Sequence, residues 1–393
     1  MTACHRIAIV ALLLTCLVLP AGLHLWAQDA KDQALQPGKF PSPGASQYLA
    51  GELVIIDPIN RRGGLRLYGD NSGPLHYFAM LPYGEIWFQG APAELRDIPI
   101  GTHVHGEFHL PPAGEEATIP PLPKDQSQFQ LKHNHAVSLA DDFSYYQRRG
   151  QNWKVVSMDV KKGKINVTPT GQVAKDMVKG GINTPYTFDI NDFTKVWKGR
   201  TLVDLTDIAP EQEVRFNLGW SPGWRDQEFT VSEIWLDDAS RKFATELQTR
   251  RHVKYQKQHW VPGWIDRVED NDFGGGTVTL TLFGGMDPSL YAELKATQEK
   301  GFGVAVAEKT LRTWFHRSDK KIGQVLEWQE SPNPPPGSSG IQLRMQFTEL
   351  LEGYRPGRCV RVKCHDWIFV TMPQEERMKS VEEQKRAAVF SLP

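Results

Sequence analysis

The residues of this 393-residue chain best suited to chemistry are histidines, and they cluster: His76, His103, His105, His109, His133 and His135 are six of its 12. His103 and His105 are two apart, so on a strand both project from one face. His133-Asn-His135 repeats that spacing on the segment expected to pair with it. Two imidazole pairs on neighbouring strands make the nitrogen donor set of a zinc or copper site. Parity works against it, because His133 and His135 share the face of Phe129 and Leu131, and without a bulge the two pairs point apart. The competing reading is a solvated histidine face.

Three other stretches imitate reactive motifs. Gly219-Trp-Ser-Pro-Gly223 has the letters of a hydrolase nucleophile elbow. That elbow needs a backbone N–H on the residue after the serine, and Pro222 has none, so Ser221 reads as a turn residue. Cys359-Val-Arg-Val-Lys-Cys-His365 is a widened form of a haem-attachment motif. Residues five apart on a strand face opposite ways, so the two thiols can neither pair nor share a ligand. The basic stretch Arg250 to Lys257 reads as a solvated helix face.

The elements that must position these residues are organised by a phrase occurring three times: Leu95-Arg-Asp-Ile-Pro-Ile-Gly-Thr-His-Val104, Leu205-Thr-Asp-Ile-Ala-Pro-Glu-Gln-Glu-Val214 and Leu351-Glu-Gly-Tyr-Arg-Pro-Gly-Arg-Cys-Val360. Each reads as a leucine leaving one strand, a turn, and a new strand opening on valine. The phrase fixes faces: Val104, Gly106 and Phe108 are inward, as are Val214, Phe216 and Leu218, and Cys364 takes the inward place of Phe108, with Cys359 outward. Copies so far apart indicate tandem domains, at 49–150, 151–260 and 261–388. Glycine turns at Arg62-Gly-Gly64 and Gly274 to Gly276 close first hairpins. Asp141 and Asp237-Asp238 open helices, and Asp287-Pro288 opens a helix inserted in the third domain. A charged helix from about 373 to 388 ends the chain.

Five short strands with a connection after the third resemble the OB-like small β-barrel, which makes the expected fold mainly β: three tandem OB-like five-stranded barrels with short linking helices. SH3-like barrels and sandwiches are the rival architectures. The resemblance is to exported bacterial proteins of tandem OB-like barrels. It implies that the loop joining the fourth and fifth strands walls a ligand groove, and in the second domain this loop carries Trp220, Trp224 and Arg225. Indole faces stack on sugars or bases and Arg holds a polar group. Against this, large aromatics more often cover a core or a domain junction.

Arg6, the apolar run Ile7 to Leu19, Pro20 and Trp26-Ala27 form an export signal, shorter than the roughly 20 residues a membrane span needs. Residues 28–48 read as a disordered tether. With 45 basic and 46 acidic residues no whole-chain field attracts nucleic acid. The expectation is an exported, non-catalytic binding or scaffolding protein of the periplasm or envelope, with a glycan or protein as partner and no cofactor. The alternative is a zinc or copper protein using the histidines at 103, 105, 133 and 135.

Overall fold

The structure, a computed structural model, describes residues 35, 38–44, 46–58, 61–67, 75–109, 134–171, 185–219, 229–300, 302–307, 320–351, 353–364 and 366–367. The segment expected to be an export signal, the loop carrying Trp220, Ser221, Trp224 and Arg225, His133, His365 and the C-terminal helix expected near 373–388 lie outside these residues.

Module 1 contains β1 (Gln47–Asp57), β2 (Arg62–Leu67), β3 (His76–Phe88), the short β4 (Ala91–Pro92), β5 (His103–His109) and β6 (Asn134–Asp141). The pairings β1–β2–β3–β6–β5–β1 close a five-stranded barrel, with β3 and β6 parallel. Module 2 repeats this with β7 (Gln151–Asp159), β8 (Lys164–Gly171), β9 (Tyr186–Asp189), β12 (Glu213–Gly219) and β13 (Thr230–Trp235). It adds β10 (Lys195–Lys198) and β11 (Thr201–Val203) at one edge. Alternation along the strands fills the barrels. Leu53, Leu65, Phe78, Val104 and Phe108 form one core, and Trp153, Val155, Ile165, Phe216 and Ile234 the other.

The shared phrase makes one backbone device three times. In each copy the residue three after the leucine returns its N–H to the leucine carbonyl: Ile98 to Leu95, Ile208 to Leu205 and Tyr354 to Leu351. The next residues exchange two backbone hydrogen bonds with the first strand. Gly101 and Thr102 bond Leu53, Glu211 and Gln212 bond Val155, and Gly357 and Arg358 bond Ile265. Just beyond that residue each first strand is bulged. The extra residue bends the strand so that one strand serves both neighbours of a small barrel.

Module 3 contains β14 (Val261–Asp270), β15 (Gly276–Phe283), α3 (Pro288–Lys300), β16 (Phe302–Ala307), β17 (Lys320–Glu330), β18 (Ser338–Phe347) and β19 (Cys359–Cys364). Its closed barrel runs β14–β15–β18–β17–β16–β19. The inserted β16–β17 hairpin sits between β18 and β19, where β6 and β13 complete the first two barrels, so this module closes with six strands.

Two helices link the modules: α1 (Asp142–Arg148) and α2 (Asp238–His259), capped by Asp141 and Asp237. Ser240, Ala244, Gln248, His252 and Gln256, every fourth residue of α2, are buried. Arg250, Arg251 and Lys254 are exposed, so the basic residues of 250–257 do form a solvated face; His252 and Gln256 of the same stretch lie on the opposite, buried stripe, which is polar, so no apolar period marks it. Gln248 donates to Pro92 O and Asp97, and Gln256 donates to Glu94. His252 Nε2 accepts from the backbone of Asp287. The helix thus touches modules 1 and 3 through side-chain amides and an imidazole.

Two readings change. Within 28–48, Leu35 and Phe40 are ordered against Leu81, Tyr83, Trp264 and Phe283, where modules 1 and 3 meet. Gln47 and Tyr48 already belong to β1. Cys359 points out of its own barrel but is buried in that same junction, while Cys364 lies in the module 3 core. Neither forms a disulfide. Among the described residues no helix is long and apolar enough to cross a membrane.

Candidate functional site

The site forms where β5 and β6 meet the start of α1. Antiparallel pairing sets Val104 opposite Asp141, so His103 and His105 flank the end of β6 and face Asp142, the first residue of α1. His103 Nδ1 lies 2.8 Å from Asp142 Oδ1, and His105 Nε2 lies 2.9 Å from the same oxygen. The other oxygen accepts the Leu218 N–H of β12 at 2.8 Å. Asp142 therefore joins two imidazoles of module 1 to the backbone of module 2.

Aromatic rings enclose the imidazoles. Tyr145 stacks on His105 with centroids 3.7 Å apart and planes within 3°, and Phe229 meets the His103 ring edge-on at 4.6 Å. The Tyr48 hydroxyl lies 2.7 Å from His105 Nδ1. One proton arrangement satisfies every atom: His105 is neutral, donates from Nε2 to Asp142 and accepts at Nδ1 from Tyr48. This corrects the solvated-face reading, since α1 and module 2 cover this face and His105 is 5% exposed.

Burial pushes the His105 imidazole down to about 4, only partly opposed by Asp142. Burial alone would raise the Asp142 carboxyl, but the two imidazoles outweigh it and hold the group below the usual carboxylate range. Asp141, beside it and fully buried, is pushed by burial up to about 6, against hydrogen bonds from Ser144, Gln89 and Asn217. At neutral pH the centre holds ionised Asp142 beside neutral His105. A buried anion of that kind favours a cation.

Of the four histidines proposed as ligands, the structure brings His103 and His105 together. His135 pairs with His109, five residues along β6 from the partner of His105. That is about 16 Å at roughly 3.3 Å per residue. A bulge does occur in β6, at Val137, but it does not return His135 to the centre. Sequence reasoning missed Asp142. Its clue was the Asp141-Asp142 pair: a helix needs one aspartate as its cap, leaving the second without an evident role.

His103, His105 and Asp142 each offer one donor atom, and the three atoms lie within 4.8 Å of one another. They suit a borderline transition metal, which takes imidazole nitrogen and carboxylate oxygen at about 2.0–2.2 Å. No protein-family model matches the chain, and no curated protein matches it.

Proposed function

We propose that the protein is an exported, non-catalytic metal-binding protein that holds one zinc or copper ion between His103, His105 and Asp142. The observation that carries this reading is the convergence of those three donors around a buried carboxylate. Tyr48 supports it as an outer partner. With a metal on His105 Nε2 the ring proton moves to Nδ1, and the Tyr48 oxygen turns from donor to acceptor, the arrangement that fixes metal-bound imidazoles. The test is elemental analysis of the full chain after loading with zinc or copper and exhaustive dialysis. One ion per chain is expected, lost in His103→Ala and in Asp142→Asn. A wild-type protein that retains no metal sinks the reading.

A second reading is a metal-free scaffold or binding protein for envelope glycans or proteins. One observation favours it: both oxygens of Asp142 already have protein partners, so the centre can serve as a joint between barrels. Under this reading the variants lose stability and no metal content changes.

A further inference from the structure

The shared phrase sets His103 and His105 in module 1 equivalent to Glu213 and Arg215 in module 2, and the Asp141-Asp142 pair equivalent to Asp237-Asp238. The corresponding place in module 2 is not a closed cluster but a cleft of about 720 Å³ between α1 and α2, lined in part by Arg215, Arg241, Lys242 and Arg250. Asp238 and Glu246 are its two carboxylates. Asp238 is 99% exposed and pairs outward with Arg241, while Glu246 sits near Lys242.

Arg215 is the unusual member. Its residue is 9% exposed, and its guanidinium lies over the Phe143 ring at 4.8 Å. One amino nitrogen donates to Asn152, but Nε has no hydrogen-bond partner, nor does Nε of Arg241. Among the described residues no carboxylate lies within ion-pair distance of Arg215 or of Arg250. A buried guanidinium outside ion-pair distance of any described carboxylate, its charge opposed only at longer range by Asp238 and Asp141, and beside a second orphaned donor, has room for an anion. Burial lowers Arg215 only to about 10, so it stays protonated at neutral pH.

We infer that this cleft binds a phosphate-bearing small molecule, with Arg215 at its base and Arg241, Lys242 and Arg250 around its rim. Arginine's planar fork matches phosphate oxygens two at a time, and several cations suit a dianion better than a monocarboxylate. The site is independent of the metal proposed above.

Calorimetric titration of the full chain with inorganic phosphate tests it, in EDTA and at ionic strength matched with chloride. We expect saturable binding of one phosphate per chain, absent with succinate. Arg215→Gln should weaken it about tenfold or more, the loss of a charged hydrogen bond. If Arg215→Gln fails to fold, the Lys242→Gln/Arg250→Gln double variant decides, since both side chains lie at the rim. Undiminished affinity in the variant that decides, equal binding of succinate, or no heat at millimolar phosphate would overturn the inference.

Discussion

Asp142 and Asp238 take the same place in two copies of one module, and what lies opposite each makes them different residues. Asp142 meets two imidazoles and a neighbour's backbone with no exposure, whereas Asp238 meets Arg241 in solvent. Asp142→Ala would leave the Leu218 N–H and both imidazoles without their acceptor and should cost about 3–5 kcal/mol, as removal of one member of a buried charged network does. Asp238→Ala should barely move the urea midpoint. Equal effects in denaturation would show that burial does not separate the two. The helix caps could be read in the sequence, because Asp141 and Asp237 act on N–H groups three residues away. Asp142 could not, because its partners lie 37, 39 and 76 positions distant: the imidazoles reach it only through folding of module 1, and the Leu218 N–H only once module 2 docks.

At the scale of elements, the three turns invite a direct comparison. Gly101 and Gly357 take left-handed backbone at φ 92° and 77°, and Glu211 takes it at 65°. Gly357→Ala should lower stability by about 1–2 kcal/mol, the left-handed penalty for a side chain, and Glu211→Gly should not lower it. Thermal melts of the pair check this. The phrase was legible because leucine, proline and glycine mark turns locally; the polar stripe of α2 was not, since its glutamines and histidine acquire a burial pattern only from modules 1 and 3. That stripe also has a pH signature. Burial holds His252 below its ordinary 6.5, so the unfolded chain binds the proton first. Stability should therefore be complete above about pH 6.5 and decline as the pH falls through the window below it. His252→Gln should flatten that slope in pH-dependent denaturation; an unchanged slope would assign it to other groups.

The barrels behave as parts of one body. Gln89 of module 1 reaches Glu233 of module 2, Asn217 of module 2 accepts from Phe143, and α2 bonds both outer modules. Calorimetric and van't Hoff enthalpies of unfolding should accordingly agree for the whole chain, despite its length. Resolved separate transitions would mean that the joints contribute little. The tandem barrel plan was readable in the strand pattern. The closure of module 3 by an inserted hairpin was not, because a hairpin's letters do not say which gap it fills.

The two thiols make those joints observable. Cys359 sits between modules 1 and 3 and Cys364 inside a barrel, and neither carries a disulfide. A thiol reagent thus meets two clocks on one strand. Cys359 reacts whenever the modules part, and Cys364 only when the barrel itself comes open. The ratio of their labelling rates measures how much more often the molecule loosens at its seam than it unfolds.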